Sequence, residues 1–564
     1  YRTEDGALAE IDNTLEAVQE NGKRLYGDDT YARINVAKIK RIEILNGASS
    51  ALYGTNAIGG VINIITDDVK NAINVSSDTR YASKGRFTQS VNIDVNTGKF
   101  GSYTSYRRQQ AEGWQLNPYE ENSKTHELEE TGKVASTGFY ANTVNQKFTF
   151  DATDKLSFYA RGGYYDNKTR RPYEAYDYNI LHETFNYGIG AQYMINKGNY
   201  ITADCYADHF SSSYCFFKDN KTYNGKAGEE QVRKRTRNHN LSIKGIFKLG
   251  NRHKLSVGTE YIVDVLKSQT DNIAKEDAYT LALFAQDEIK LLRNLQALIG
   301  VRYIYHENFK NHATPNVALM YKPGKFNFRA SYAAGFRTPT LSELYATDIA
   351  KKNDRLTIGN LDLKPEKNNY FSLSAEYVHE RFSVSVNAFY NNIRDMIDYN
   401  TIATGDKAME QYGHKEVRQR DNIAEAKVHG INVSANAYLG AGFNLSGGYT
   451  HLNTQDVELE QPIDKSIKNA YNINAQWAHS WKIYRLNINL NGRFNSKSYG
   501  YAPEYQLWDL NTRHSFNLKS VIIEPGCGME NLFDYMDDRP YNSNYATLTP
   551  GRSFYISLSL KFKS

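Results

Sequence analysis

Residues Ser553–Phe562, close to the carboxyl end of the chain, read SFYISLSLKF. Apolar side chains alternate here with small or polar ones, which is the period-two pattern of a β-strand with one apolar face. The apolar positions are Phe554, Ile556, Leu558, Leu560 and Phe562. A soluble sandwich would show the same alternation in one strand. Here it recurs through most of the chain and ends on an aromatic residue, a combination typical of a transmembrane β-barrel.

The composition agrees with a barrel and excludes a helical membrane protein. Hydrophobic residues make up 40% of the 564 residues, and no apolar run approaches the roughly 18 residues that a membrane helix needs. A barrel tolerates this composition because only alternate residues must be apolar. The 44 Tyr and 25 Phe suit strands and the aromatic girdles between lipid and water. The net charge of +5 is slight and scattered, so nothing indicates a nucleic-acid partner.

From about residue 72 onward, alternating segments are joined by turns. Residues 372–377 and 382–390 alternate on either side of a short polar turn, which predicts a tight hairpin. Long polar connections, such as 118–132 and 401–421, lie between other segments, and outer-membrane barrels have short turns at one end and long loops at the other. A spacing of about 22 residues per strand and connection predicts about 22 antiparallel strands, and so wide a lumen must be filled.

The chain before residue 70 reads differently and supplies a candidate for the filling. Residues 39–60 read IKRIEILNGASSALYGTNAIGG and residues 61–66 read VINIIT, a pattern of strand, glycine turn, short helical turn, glycine turn and strand. This stretch resembles the plug of TonB-dependent outer-membrane receptors. The residues that carry the resemblance are Arg41, Glu43, Gly47, Ser50, Tyr53, Gly54, Gly59, Gly60 and Asn63.

Further segments resemble the same family in the barrel. They are GFRTP at 335–339, NLDLKPE at 360–366, NLFD at 531–534 and PGR at 550–552. The resemblance implies an all-β transmembrane barrel over residues 71–564, with an α+β plug of residues 1–70 in its lumen, in the outer membrane of a Gram-negative bacterium. The family's plug is usually longer and begins with a TonB-contacting box that is not visible here. We therefore expect the numbering to join across unobserved plug segments.

The resemblance also implies the activity, which is active import of a scarce metal chelate across the outer membrane. The partners implied are the TonB–ExbB–ExbD complex, outer-membrane lipid and the chelate itself, with a surface lipoprotein as a further candidate. No G-x-S-x-G or H-E-x-x-H motif occurs, and we expect a transporter and not an enzyme. No cofactor is required, although a structural Ca²⁺ in an outer loop is one hypothesis.

The identity of the cargo is less strongly indicated. Residues 165–178 read YDNKTRRPYEAYDY and resemble a calcium-binding loop of cobalamin (vitamin B12) receptors. Asp166, Glu174 and Asp177 would supply the oxygen ligands, although a plain charged loop fits the same residues. Haem receptors of the family carry a His between the two boxes, and residues 340–359 contain none. We expect a corrinoid, with haem or a siderophore as the alternative and a glycan or peptide as a remote one.

Four residues are candidates for contact with the cargo: Tyr173, Tyr176, Arg337 and Tyr345. Tyr345 is also the residue that would replace the missing His as a haem ligand. Phe562 has the position of the terminal aromatic residue that the barrel-insertion machinery reads in this family. Cys205 and Cys215 could bridge two neighbouring strands, or all three cysteines could be free thiols.

Overall fold

The computed structural model describes residues 16–20, 23–24, 33–34, 39–46, 60–66, 72–122, 125–350, 354–541 and 549–563. Four short strands precede the barrel: β1 (Glu16–Glu20), β2 (Lys23–Arg24), β3 (Ile39–Asn46) and β4 (Gly60–Thr66). They form one sheet in the order β2-β1-β4-β3, in which β3 and β4 are antiparallel and β1 and β4 are parallel. This separate sheet lies in the region predicted to be the plug.

The remaining chain forms a closed antiparallel barrel of 22 strands, as the alternation predicted. The wall strands are β5 (Ile73–Ala82), β6 (Arg86–Asn96), β7 (Phe100–Ala111), β10 (Gly138–Asp151), β11 (Leu156–Arg170), β12 (Tyr178–Asn196), β13 (Asn199–Phe216), β14 (Glu230–Leu249), β15 (His253–Ser268), β16 (Ile273–Leu292), β17 (Leu295–His306), β18 (Lys310–Tyr321), β19 (Phe326–Arg337), β22 (Glu366–Val378), β23 (Phe382–Thr404), β24 (Glu416–Gly440), β25 (Phe443–Asp456), β26 (Asn469–Trp481), β27 (Tyr484–Asn495), β28 (Tyr505–Leu518), β29 (Val521–Glu530) and β30 (Ser553–Lys563). Strand β30 pairs with β5 and closes the wall.

The two ends of the barrel differ in the length of their connections. At one end, the turn end, the connections are two to four residues long, whereas the other end, the loop end, carries segments such as 112–137 and 338–365. The loop-end segments contain the hairpins β8 (Tyr119–Glu121) with β9 (Leu128–Glu130) and β20 (Thr347–Ala350) with β21 (Arg355–Ile358), and the helices α1 (Leu341–Tyr345) and α2 (Gly405–Tyr412). No helix in the described ranges is long and apolar enough to cross a membrane.

Strand β30 shows how the wall separates its two faces. Phe554, Ile556 and Leu558 are exposed on the outer surface, and Phe562 is 47% exposed on the same face. On the opposite face, the Lys561 Nζ lies 2.6 Å from a carboxylate oxygen of Glu524. Because charged side chains point into the wet lumen and apolar ones outward, the predicted orientation of this strand is confirmed.

The strand boundaries also decide between the two alternatives for Cys205 and Cys215. Cys205 and Cys215 both lie on β13 and cannot belong to neighbouring strands. At about 3.4 Å per residue, their separation along the strand is about 34 Å. All three cysteines are free. The hypothesis of a bridge is therefore wrong, because the alternating run from 199 to 216 continues without a turn.

Candidate functional site

A buried ion pair joins the plug region to the barrel wall. Two guanidinium nitrogens of Arg33 donate to the two carboxylate oxygens of Asp208 on β13, over 3.0 and 3.2 Å. Arg33 is 7% exposed and Asp208 is 1% exposed. A second contact comes from β7, where Arg107 donates to the Ile34 carbonyl oxygen over 3.0 Å. These contacts fix the plug against β7 and β13.

The predicted plug motif is partly brought together by the pairing of β3 with β4. Glu43 lies opposite Asn63 in this ladder, and the Asn63 amide donates to a Glu43 carboxylate oxygen over 3.0 Å. The Arg41 guanidinium donates to the other oxygen over 2.7 Å. The polar residues of the motif thus stabilise the plug sheet, and Gly60 begins β4 opposite Asn46. The other motif residues, Gly47, Ser50, Tyr53, Gly54 and Gly59, lie outside the described residues.

Arg337, predicted to contact the cargo, holds the loop end of the wall together instead. The side chain is 2% exposed, and it donates to Glu366 over 2.7 and 2.5 Å and to Glu343 over distances from 2.9 to 3.2 Å. Glu343 also caps α1, because its carboxylate accepts from the Thr340 backbone N–H over 2.7 Å. The N–H donors of Arg337 point to these two carboxylates and not to solvent. The prediction that Arg337 binds the cargo is therefore wrong, and the residue is structural.

Tyr345 is the last residue of α1, in the segment 338–365. It packs beside the buried cluster of Leu344, Leu363 and Ile397 and remains partly exposed. Burial, followed by the nearby Glu276 and Glu307, raises the pKa of its hydroxyl, so the side chain is a neutral phenol at pH 7. Its assignment as a cargo contact stays a prediction.

The three carboxylates proposed as calcium ligands are not gathered at one point. Asp166 lies within β11, where both of its oxygens accept from the Asn142 amide over 3.1 Å. Asp177 directly precedes β12 and accepts from the Asn220 amide over 2.8 Å. Within the ranges given above, no group of three or more His, Cys, Asp or Glu residues is arranged to hold a metal ion. The three residues are therefore not one ligand set, because β11 continues to Arg170 and removes Asp166 from the loop that carries Glu174. A structural Ca²⁺ in an outer loop stays a prediction.

A cluster of aromatic rings lies instead at the loop end of β12, β13 and the connection to β14. The rings of Tyr178 and Tyr214 stack with centroids 4.1 Å apart. Tyr223 meets both of them edge-on, at 5.8 and 5.2 Å, and Phe216 lies 5.6 Å from Tyr178. We call Tyr178, Tyr214, Phe216 and Tyr223 the tyrosine cluster.

Two arginines cover this cluster. The guanidinium of Arg171 lies 5.1 Å from the ring centre of Tyr178, and that of Arg233 lies 5.3 and 4.9 Å from those of Tyr214 and Tyr223. Such contacts are favourable because the face of an aromatic ring carries partial negative charge. The cluster therefore combines flat apolar faces with positive charge.

The strand register shows that the tyrosine cluster faces the lumen. Tyr214 and Phe216 have the same parity along β13 as Asp208, which binds Arg33 of the plug region. Tyr178 lies directly opposite Phe216. The residues of opposite parity on β12, such as Phe185 and Ile189, are exposed on the outer surface. The cluster thus lines the mouth of the barrel at the loop end.

Tyr173 and Tyr176, predicted from the sequence, border this cluster. Tyr173 is exposed, stacks on Phe217 with centroids 5.4 Å apart, and has the Lys218 ammonium 4.0 Å from its ring centre. Tyr176 lies 4.9 Å from the Arg171 guanidinium. The sequence analysis did not predict the partners that follow β13, which are Phe217, Lys218 and Tyr223. The tyrosines of β12 and β13 could have been found from their shared parity, but only the conformation of the connection between β13 and β14 brings Tyr223 to them.

The site can offer hydrogen-bond donors as well as ring faces and cations. Burial, followed by the nearby phenol of Tyr178, raises the pKa of Tyr223 above its ordinary value of 10, so the hydroxyl keeps its proton at neutral pH. Neutral phenols and guanidinium groups both donate to anionic oxygens. The chemistry of this wall therefore suits an anion that carries flat rings.

Three solved structures illustrate which known proteins share this architecture. A mutant of the ferric enterobactin receptor of Pseudomonas aeruginosa superposes with a TM-score of 0.81 at 16% identity, over 97% of this chain and 90% of that one. The siderophore receptor PirA of the same organism gives 0.74 at 17% identity, over 97% and 91%. The FrpB iron transporter of Neisseria meningitidis gives 0.73 at 13% identity, over 98% and 92%. At these identities, the likeness is one of fold.

The sequence itself matches two family models. Residues 86–524 match the family described as TonB dependent receptor-like, beta-barrel, and residues 11–61 match the TonB-dependent Receptor Plug Domain. The first match covers well over half of the chain and includes most of the wall strands. The chain therefore belongs to the TonB-dependent receptors, which are transporters and not enzymes and lie in the outer membrane of Gram-negative bacteria.

Proposed function

We propose that this TonB-dependent transporter imports a ferric siderophore, and that the chelate is anionic and carries aromatic rings. The observation that carries the proposal is the tyrosine cluster with Arg171 and Arg233 above it. Ferric catecholates present negative charge and ring faces on the same surface. Cation–π and stacking contacts contribute roughly 0.5–1.5 kcal/mol each, and charge-assisted hydrogen bonds add to them.

Two further observations favour a siderophore over the corrinoid expected from the sequence. Two of the similar structures are a ferric enterobactin receptor and a siderophore receptor. The calcium-ligand set that suggested a cobalamin receptor is not assembled among the described residues. The siderophore alternative is therefore the better supported one, and haem remains its competitor because Tyr345 is retained as a candidate ligand.

The transport step requires work from outside the barrel. The outer membrane holds no ATP, and the plug region is fastened to the wall by the buried pair of Arg33 with Asp208. We propose that the TonB–ExbB–ExbD complex supplies this work by pulling on the plug after the cargo binds. A surface lipoprotein partner stays a prediction.

The cargo can be identified by titrating the purified protein with ferric enterobactin, haemin and cyanocobalamin while following quenching of the intrinsic fluorescence. We expect tight binding of ferric enterobactin only. Arg171→Gln and Arg233→Gln should each weaken it about tenfold, because each removes a charged contact worth roughly 1.4 kcal/mol. Arg381→Gln, in a turn-end connection, is the matched control and should change nothing. Equal binding by all variants, or preference for cyanocobalamin or haemin, would reject the proposal.

A further inference from the structure

The outer surface of the barrel carries an unusual group of cations near the loop end. On β14, Arg235, Arg237 and His239 alternate with residues of the lumen face and are exposed. They share their parity with Leu241 and Ile243, which are exposed apolar residues of the lipid-facing surface. These three side chains therefore point outward, away from the tyrosine cluster and the cargo path.

Neighbouring strands add two more basic residues to the same place. The β14–β15 ladder sets Lys267 directly opposite Arg235. On the other side, His209 of β13 lies directly opposite Arg237, and its ring centre is 5.2 Å from that of His239. We call these five residues the basic patch: Arg235, Arg237, His239, Lys267 and His209.

The basic patch lacks carboxylates of its own. The side chains of Arg235, Arg237 and Lys267 form no ion pair or hydrogen bond with any other part of the chain that the structure describes. The nearest outward carboxylates in the same rows are Glu183, which accepts from the Tyr164 hydroxyl over 2.9 Å, and Asp277, which pairs with Lys275 over 3.1 Å. Each is two strands away from the arginine of its row, at about 10 Å. Like charges on directly opposite residues are destabilising. An anion bound from outside the protein would therefore stabilise the patch.

The height of the patch on the barrel indicates which anion this is. Tyr261, Tyr279 and Tyr305 form a row of outward rings on β15–β17, with centroids 5.9 and 6.1 Å apart. Such aromatic girdles mark the boundary between lipid and water. In the strand register, Tyr279 shares the row of His239 and Tyr261 that of Leu241. Arg237 and Arg235 follow in the next rows towards the loop end, at the level of the lipid headgroups.

A second, independent feature lies below the patch, on β10 to β14, and shares β13 and β14 with it. The lipid-facing surface has an apolar groove of about 540 Å³. Its floor is made of small residues on neighbouring strands, and larger apolar side chains form its sides. The outward residues that line it are Phe148, Phe150, Phe158, Ala160, Ile189, Ala191, Ala203, Cys205 and Leu241. Leu241 lies only four residues from Arg237, about 14 Å along β14.

We propose that the basic patch and the groove together form a binding site for one phosphorylated lipid of the outer leaflet. Its headgroup phosphates bind Arg235, Arg237 and Lys267, and an acyl chain lies in the groove. One guanidinium group can donate two parallel hydrogen bonds to the oxygens of one phosphate. Each of the two arginines on this strand face can therefore bind a phosphate in this way. The alternation of small and large lipid-facing residues supplies a concave surface that a saturated chain can fill.

The headgroup half of the site is tested with lipid A titrated into the detergent-purified protein and followed by native mass spectrometry. The triple variant Arg235→Gln/Arg237→Gln/Lys267→Gln should bind lipid A about 100-fold more weakly, since each cation contributes roughly fivefold. The matched control is Arg381→Gln/Lys482→Gln/Lys519→Gln, which removes the same charge at the turn end and should bind normally. Removing the phosphates from lipid A should have the same effect as removing the three cations: dephosphorylated lipid A should bind the unchanged protein about 100-fold more weakly.

The groove half is tested with the native cysteines. Cys205 lines the groove, whereas Cys527 is exposed on the same outer surface at β29, outside it. Bound lipid A should slow modification of Cys205 by a membrane-soluble maleimide at least fivefold and leave Cys527 unaffected. Ala203→Phe, which fills the groove, should abolish this protection, and Ala435→Phe on the outer face of β24 should not.

Several outcomes would overturn the proposal. Equal binding of lipid A by the two triple variants would show that the patch does not read phosphate, as would equal binding of the dephosphorylated lipid. Equal protection of both cysteines, or of neither, would remove the acyl chain from the groove. Every variant is first checked for the heat-sensitive electrophoretic mobility of a folded barrel, so that loss of folding is not mistaken for loss of binding.

Discussion

The strongest mechanical prediction concerns the buried pair between Arg33 and Asp208. Asp208→Asn keeps the size of the side chain and removes the charged partner on β13 from the Arg33 guanidinium, at a position that is 7% exposed. Breaking a buried ion pair by removing one partner costs about 3–5 kcal/mol. At 1.4 kcal/mol for each factor of ten, detachment of this part of the plug should become at least a hundredfold more frequent.

The measurement is hydrogen exchange of the backbone amides in β3 and β4, together with single-channel conductance in planar bilayers. Asp208→Asn should speed exchange in the plug strands and increase brief channel openings in the presence of moderate urea. The control is Glu288→Gln, which breaks the exposed pair with Lys254 on the barrel wall, where a surface salt bridge contributes about 0–1 kcal/mol.

A second variant tests whether the effect of Asp208→Asn comes from the charge left on Arg33 and not from a general weakening of the structure. The double change Arg33→Leu/Asp208→Leu removes both charges, and replacing a buried ion pair by apolar residues is often neutral or stabilising. Exchange in the plug strands should therefore return towards that of the unchanged protein. If Asp208→Asn behaves like Glu288→Gln, the pair does not hold the plug and the reasoning fails.

Three further changes test other parts of the structure. Glu366→Gln weakens the charged hydrogen bonds to Arg337 and should lower the free energy of unfolding by about 2 kcal/mol in urea titrations, with unchanged stability as the contrary result. The hydrogen bond from His414 lowers the pKa of Asp354 below the unfolded-state pKa of 3.8. Above pH 3.8, this carboxylate therefore stabilises the contact between the residue before β21 and the segment that joins α2 to β24. The protection of the α2 amides, taken relative to their intrinsic exchange rates, should be constant from pH 7 to 5 and fall only below about 3.8, and Asp354→Asn should abolish that fall; a loss of protection already at pH 5 would contradict it. Phe562→Ala should reduce assembly into the outer membrane, measured as the folded fraction in isolated membranes, and normal assembly would refute its role as the insertion signal.

The sequence alone was sufficient for the architecture because the relevant signals are local. The side chains of a strand alternate every second residue, so SFYISLSLKF predicted both the strand and its lipid-facing residues. The spacing of such segments predicted about 22 strands, and the barrel has 22. The glycine-rich pattern before residue 70 predicted a separate plug, and its family model matches residues 11–61.

The tertiary structure alone decided which distant side chains meet. Arg337 and Glu366 are 29 positions apart, and only the pairing of β19 with β22 sets them side by side, so a candidate cargo contact is a structural residue. Asp166 likewise left the predicted calcium loop because β11 extends to Arg170. The physical reason is that register and strand length depend on the whole closed wall, whereas alternation depends on neighbours in the chain. The same register brings Tyr178 and Tyr214 together at the mouth of the barrel. It also sets the basic patch above its apolar groove on the outer surface.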